Sequence, residues 1–241
     1  MRLSRPACGL CVCAMLGFGM FATAWAGEAT NPVDPSSANL LQELRQYPHK
    51  LIYESNRDGN WELYVCNADG SNPVRISDEV FSSDCSPDGE WILFSIDKKL
   101  YRVPVEGGTR REIFSSPLGV SGYISPDGKW IACGYQEPGP VPTPKLAVIP
   151  AEGGSPIHVF ARPSGAASFR WSPDQKGLQY TLTRKGATNI WEQPLAGGPP
   201  RQVTNFTSGR IFDFAWSRDG KELFLAKGDV TSDVVLISNF H

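Results

Sequence analysis

Histidine and cysteine are scarce in this chain, and their scarcity removes most catalytic chemistries before any fold is considered. The only histidines are His49, His158 and His241. They fall in a linker, an outer strand and the terminus, whereas a zinc site or a Ser-His-Asp triad needs such groups to converge. No Gly-x-Ser-x-Gly elbow is present, which leaves a hydrolase nucleophile without its usual strained turn. Calcium loops are missing as well. Asp58-Gly59-Asn60 and Asp69-Gly70-Ser71 hold only fragments of the oxygen-rich spacing and read as hairpin turns. Cys8, Cys11 and Cys13 precede an apolar run, which leaves Cys66, Cys85 and Cys133 in the remainder. That odd set has no metal-ligand spacing and reads as buried apolar filler, with one disulfide as the alternative in an oxidising compartment. The expectation is a chain with no cofactor, no metal site and no catalytic residue.

An excess of either charge is also lacking. The formal net charge is −2, which provides no electrostatic footprint for nucleic acid or an anionic membrane. Long hydrophobic runs are absent except near the start. Arg2 and Arg5, the apolar stretch Ala14 to Ala24 and the small-x-small sequence Ala24-Trp25-Ala26 read as a secretory signal over residues 1–26. The run is short for a spanning helix, so no stable membrane insertion is expected after cleavage. Losing Arg2 and Arg5 leaves 21 basic against 25 acidic side chains, a net of −4. The expected location is periplasmic or secreted.

What the chain has in abundance is turns. Its 24 glycines and 20 prolines sit between short apolar runs, which points to many strand connections. Residues 27–48 read as a linker with one short helix, Ser36 to Tyr47, in which Leu40, Leu41 and Leu44 share a face. From residue 49 to 241 the sequence repeats itself. Ser86-Pro87-Asp88-Gly89 is followed by Ser125-Pro126-Asp127-Gly128, Ser172-Pro173-Asp174-Gln175 and Ser217-Arg218-Asp219-Gly220, at spacings of 39, 47 and 45 residues. A second marker keeps the same phase: Asp69-Gly70-Ser71, Glu106-Gly107-Gly108, Glu152-Gly153-Gly154 and Ala196-Gly197-Gly198.

Each unit reads as four strands, and four short antiparallel strands in that span make the blade of a β-propeller. In the third unit these are Val120–Ser125, Trp130–Tyr135, Leu146–Ile149 and Ile157–Phe160. The first unit lacks its first strand. The last has a first strand (Ile211–Trp216), a second (Glu222–Ala226) and a third (Val234–Ser238). The fold expected is therefore all-β, a propeller of four-stranded antiparallel blades with about five blades. It is either closed by the two chain ends or incomplete and open, and the closed form is favoured because it removes exposed strand edges.

Asn56-Arg57-Asp58-Gly59-Asn60-Trp61-Glu62-Leu63-Tyr64-Val65 and the following Asn67-Ala68-Asp69-Gly70-Ser71-Asn72-Pro73 resemble a blade of the TolB-like, WD-like propeller repeats. The Ser-Pro-Asp-Gly turns followed by Trp-Ile match the same family. The last two units, from Ile190-Trp191-Glu192 to Asn239-Phe240, look most like propellers fused to bacterial Ser/Thr kinases and regulators, although nothing here resembles a kinase or a DNA-binding domain. The resemblance implies binding or sensing of proteins in the cell envelope or outside it, rather than catalysis. Members of the TolB type carry an extra N-terminal domain, and here only a short segment precedes the first strand.

The aspartates of the four turns, Asp88, Asp127, Asp174 and Asp219, read as scaffolding that accepts following backbone N–H groups, on separate blades too far apart to converge. The functional question then moves to the residues just before each turn. One and three places before it stand Cys85, Ile124, Trp171 and Trp216, and Ser83, Gly122, Phe169 and Phe214; this set should pack between blades. The alternate set is Asp84, Tyr123, Arg170 and Ala215, then Ser82, Ser121, Ser168 and Asp213, which period-two geometry turns toward the axis. Asp84, Tyr123, Arg170 and Asp213 are the candidate binding cluster, with mutual pairing as the bland alternative. The proline-rich stretch Gln136 to Pro144 offers a second, preordered contact surface. The function read from the residues is a non-catalytic protein-binding or sensing module with a protein partner in the cell envelope. The alternatives are an accessory propeller of a hydrolase or peptidase system, and a truncated propeller with no independent activity.

Overall fold

Short strands joined by tight turns account for every element of the computed structural model, which describes residues 50–229 except 57–58, 81, 117–120, 137–142 and 218. The signal segment, the Ser36 to Tyr47 helix, the Val234–Ser238 strand and most of the proline-rich loop lie outside the described residues. The first sheet runs β1 (Lys50–Ser55), β2 (Glu62–Asn67), β3 (Val74–Ser77). The second holds β4 (Ser82–Cys85), β5 (Trp91–Ile96), β6 (Lys99–Pro104) and β7 (Arg111–Ser115). The third holds β8 (Gly122–Ile124), β9 (Trp130–Gln136), β10 (Pro144–Pro150) and β11 (His158–Ala161), the fourth β12 (Ala167–Trp171), β13 (Gly177–Arg184), β14 (Ala187–Pro194) and β15 (Arg201–Gln202). The fifth comprises β16 (Arg210–Trp216) and β17 (Leu223–Gly228). Every sheet is an antiparallel meander in sequence order, and every expected strand within the described residues forms within about two residues of its expected bounds. The first and fifth sheets do not pair with each other among the described residues, which accords with the incomplete, open form of the propeller.

Sheets stack face to face and bury apolar side chains between them. Ile52, Leu63 and Val65 of the first sheet meet Ile92, Phe94, Ile96 and Val103 of the second. Trp91, Leu93, Leu100 and Ile113 then meet Ile124, Ile131, Cys133, Ala147 and Ile149 of the third. Burial of side chains of this size contributes about 1.5–3 kcal/mol each. In β13, Leu178, Tyr180 and Leu182 alternate with Gln179 and Thr181, and all five residues are buried. The reason is that a blade faces a neighbour on each side, so its polar face must be satisfied internally: Thr181 Oγ1 donates to the carbonyl of Ala167 at 3.1 Å, and Gln179 enters a side-chain network. Cys66 and Cys133 are buried, Cys85 is half-buried, and all three thiols are free. Burial pushes the Cys133 thiol up to about 12 and raises that of Cys66 as well.

The Ser-Pro-Asp-Gly turn forms the same hydrogen-bonded knot four times. The hydroxyls of Ser86, Ser125, Ser172 and Ser217 donate to Oδ1 of Asp88, Asp127, Asp174 and Asp219 at 2.5, 2.6, 2.7 and 2.6 Å. Each serine oxygen in turn accepts the N–H five residues on, from Trp91, Trp130, Gly177 or Glu222. Each aspartate accepts the N–H two residues on. The hydroxyl bonds, followed by the N–H groups of Lys176 and Lys221, hold the Asp174 and Asp219 carboxyls below their ordinary value. At Asp127 burial works in the opposite direction, but the Ser125 and Lys129 bonds prevail. These carboxylates are turn scaffolding, as the sequence implies. The turns stand on separate blades, yet successive ones reach each other. The backbone N–H of Asp127 donates to Oε1 of Gln175 at 3.2 Å, and a β-carbon on Gly220 would lie 2.6 Å from Pro173. Neighbouring turns touch along one rim, because blades that pack face to face also bring their corners together.

Candidate functional site

Neighbouring blades meet along their first strands, β4 with β8, β8 with β12 and β12 with β16. The edge of each first strand carries N–H and C=O groups that its own sheet leaves unpaired, and such groups need partners when buried. Side chains of adjacent blades provide them. Oδ2 of Asp84, on β4, accepts the N–H of Ile124, on β8, at 2.8 Å. The indole Nε1 of Trp171, on β12, donates to the carbonyl of Tyr123 at 2.8 Å. The hydroxyl of Ser168 donates to the carbonyl of Phe212 on β16 at 3.3 Å.

The four residues singled out from the sequence lie along this seam: Tyr123, Arg170 and Asp213 touch in series, and Asp84 lies near enough to feel the charge of Arg170. Asp84 also accepts its own strand's Cys85 N–H through Oδ1 at 2.8 Å. The guanidinium of Arg170 lies 5.7 Å from the ring centre of Tyr123. Arg170 Nη2 donates to both carboxylate oxygens of Asp213 at 3.2 Å, and Nη1 donates to the carbonyl of Phe169 at 2.8 Å. Bulges on both strands aim these groups. The register of β12 shifts between Ala167 and Arg170, and that of β16 shifts between Ile211 and Asp213; Ser168 takes a φ of 48° to make the first shift. A bulge bends its strand and re-aims a side chain, and such features recur beside functional sites. The apolar set packs between blades as expected, with Ile124, Phe169, Trp171 and Phe214 buried. Of the rest of the alternate set, Ala215 is exposed and Ser121 half-buried.

Electrostatics single out Asp84. Burial pushes its carboxyl up to about 6, against the pull of the Ile124 and Cys85 N–H groups and of Arg170. Burial also raises the Tyr123 hydroxyl, with Arg170 and Arg162 opposing and Asp84 and Asp213 reinforcing the rise. A raised carboxyl means that the folded chain holds its proton more tightly than the unfolded chain does. Between pH 4 and pH 6 the folded state therefore carries the extra proton, and stability from this residue falls as the pH rises through that window. The change is on the order of 2 kcal/mol. We expect the stability of the parent relative to Asp84→Asn to decline by about that amount from pH 4 to pH 7 in calorimetric unfolding. A difference that stays flat with pH refutes this assignment. Asp127, Asp174 and Asp219, whose carboxyls are lowered, lose stability in the opposite direction, on acidification, and cancel in the comparison.

A second polar constellation has no counterpart in the sequence reading. Glu192, on β14, is buried with 4 % exposure. Its Oε1 accepts Nε and Nη2 of Arg201 at 3.0 and 2.6 Å, and its Oε2 accepts Nε2 of Gln179 at 2.9 Å. Gln179 Oε1 accepts the indole N–H of Trp216, from the next blade, at 2.8 Å. A signal was available in the repeat phase. Val65, Arg102, Val148 and Glu192 each stand five residues before Gly70, Gly107, Gly153 and Gly197. Two blades place valine at this position, which faces the next blade, and two place a charge. A break in an otherwise apolar repeat position marks where the interface is polar. Among the described residues no group of three or more His, Cys, Asp or Glu side chains is disposed to hold a metal ion.

No family model matches this chain, and no curated protein does. Solved structures do. TolB from Acinetobacter baumannii superposes with a TM-score of 0.59 at 21% identity, covering 82% of this chain and 53% of that one. The acylaminoacyl peptidase of Pyrococcus horikoshii matches with a TM-score of 0.52 at 12% identity, covering 73% of this chain and 32% of the peptidase. The β-propeller domain of the Trilobed protease from Pyrococcus furiosus, described as having an open velcro topology, matches with a TM-score of 0.50 at 12% identity, covering 74% and 59%. The chain spans about half the length of the TolB structure it matches. At these identities the likeness is one of fold, and the fold is that of the TolB-like β-propellers.

Proposed function

We propose that this chain is a non-catalytic protein-binding or sensing module of the cell envelope, acting in the periplasm or outside the cell. The observation that carries this reading is the convergence of Asp84, Tyr123, Arg170 and Asp213 from four successive blades on one seam. The cluster presents cation, carboxylate, aromatic face and hydroxyl within a narrow strip, and the Tyr123 hydroxyl has no protein partner among the described residues. That mixture suits the side chains and backbone groups of a protein segment, which offers donors and acceptors together. The TolB-like fold supports the reading, as does the resemblance of the last two units to sensor propellers fused to kinases and regulators. The test is capture from envelope extract with the full chain and with Arg170→Glu, after unfolding curves establish that the variant folds. Arg170→Glu places a carboxylate against Asp213, so we expect at least a tenfold loss of the captured partner. Undiminished capture removes the cluster as the site.

A second reading is an accessory propeller of a peptidase system, favoured by the likeness to the peptidase and protease propellers. In that case the captured partner is a hydrolase, and adding this chain changes the partner's rate on peptides.

A further inference from the structure

On the opposite, outer part of the blades lies a groove of about 420 Å³ between the second and third sheets. It is lined by Trp91, Val103 and Pro104 on its apolar side and by Glu90, Arg102 and Arg111 on its polar side, with Glu152 reaching in from the turn after β10. The guanidinium of Arg102 lies over the indole of Trp91, 4.6 Å from the ring centre, and its side chain is only 23% exposed. Such stacking fixes the plane of the guanidinium before any ligand arrives.

Glu152 occupies this place as a ligand would. Its Oε1 accepts from Nη1 of Arg102, and its Oε2 accepts from Nη2 of Arg111 at 2.5 Å. These two hydrogen bonds hold its carboxyl below the ordinary value, with burial opposing them. Yet the Glu152 side chain is 71% exposed, and the two arginines are far from used up. Nε and Nη2 of Arg102, and Nε and Nη1 of Arg111, have no acceptor among the described residues. Two convergent forks with unused donors, an aromatic floor and an aliphatic wall make a receptor for a carboxylate carried on an aliphatic stem.

We propose that this groove binds acidic side chains of a peptide, with Glu152 as the internal occupant that a ligand carboxylate displaces or joins. The site is separate from the seam of first strands and does not rest on the function proposed for it. It contributes a surface for an acidic partner segment, whose carboxylates would meet the same two guanidiniums that hold Glu152.

The test uses the full chain and calorimetric titration at low salt, because partly exposed charge pairs are screened. The probes are acetyl-Gly-Glu-Glu-Gly-amide, its glutamine counterpart and inorganic phosphate. We expect the glutamate peptide to bind at least fivefold more tightly than the glutamine peptide, and Arg111→Gln to abolish that preference. Glu152→Gln removes the internal carboxylate and tightens binding of the glutamate peptide by about fivefold. Arg170→Glu leaves this binding unchanged, which separates the groove from the seam. Equal affinity for the two peptides, or full binding by Arg111→Gln, overturns the proposal. Phosphate binding without a preference for the glutamate peptide overturns the peptide assignment and leaves a simple oxyanion site. Arg111 is exposed on an outer strand, so its variant decides the matter even where Glu152→Gln loosens the blade contact.

Discussion

Gly153→Ala lowers the stability of the chain by about 3 kcal/mol, and Gly154→Ala, one residue on, by only about 1 kcal/mol. Both glycines belong to the turn after β10, and both have positive φ, 90° and 123°. A β-carbon at either position suffers the backbone strain that L-residues meet in that region. Their surroundings differ. A β-carbon added at Gly154 would meet nothing within 4 Å, whereas one added at Gly153 would lie 2.7 Å from the carbonyl oxygen of Ile113 and 3.2 Å from its α-carbon. Ile113 belongs to β7 of the preceding blade, so the obstacle is backbone that is itself held in a sheet and cannot swing away. The difference between the variants isolates the blade-to-blade approach from the strain of the turn. Chemical unfolding of both measures it, and a midpoint shift of roughly 6–12 °C is expected for Gly153→Ala in thermal unfolding. Equal losses from the two substitutions show that the third blade does not dock through this turn. The same variant moves Glu152 out of register with Arg102 and Arg111, so it should also weaken glutamate-peptide binding.

Glu192→Ala is expected to cost about 3 kcal/mol, a size set by what it leaves behind. The substitution removes the acceptor of Gln179 and Arg201. Gln179 is 3% exposed, so its amide loses a partner that water cannot easily replace. Glu192→Gln keeps only one acceptor and turns an NH2 toward a donor of either Gln179 or Arg201, and the expected loss is about 2 kcal/mol, below that of Glu192→Ala, because Arg201 is largely exposed and can turn to water. A double-mutant cycle of Glu192→Ala with Trp216→Phe should show a coupling of about 1 kcal/mol, since the indole reaches the carboxylate only through Gln179. Additive losses mean that the relay does not act as a unit and that its members are buried independently.

The architecture was legible because two markers, the Ser-Pro-Asp-Gly turn and the Gly-containing hairpin, repeat in phase and fix where each strand begins. The seam was legible for a related reason. Counting back from the turn sorts the first strands into two faces, and Asp84, Tyr123, Arg170 and Asp213 fell on the face that departs from the repeat. What counting could not give is partnership across blades. Nothing in the local sequence says that Asp84 will cap the N–H of Ile124, because that bond depends on how far one sheet is rotated from the next. The partners of Gln179 escaped for the same reason: its bonds to Glu192 and Trp216 reach residues 13 and 37 places along the chain. Arg102 and Glu192 were visible as charges at a position where Val65 and Val148 stand, but only comparison at fixed distance from the glycines reveals the substitution.

The stitches along the seam have one further property. Asp84, Trp171 and Ser168 each fasten to a main-chain N–H or C=O of the adjacent blade. A peptide group is offered by every residue, apart from the N–H that proline lacks, so these fastenings do not read the neighbour's side chains. At these three fastenings a blade can therefore accept substitutions without a compensating change next door. A duplicated or exchanged blade can likewise be joined to its new neighbour by residues it already carries. Heritable variation in blade number and in seam chemistry is the expected result, and two blades must change together where side chain binds side chain, as in Arg170 with Asp213, Trp216 with Gln179, and Arg111 with Glu152.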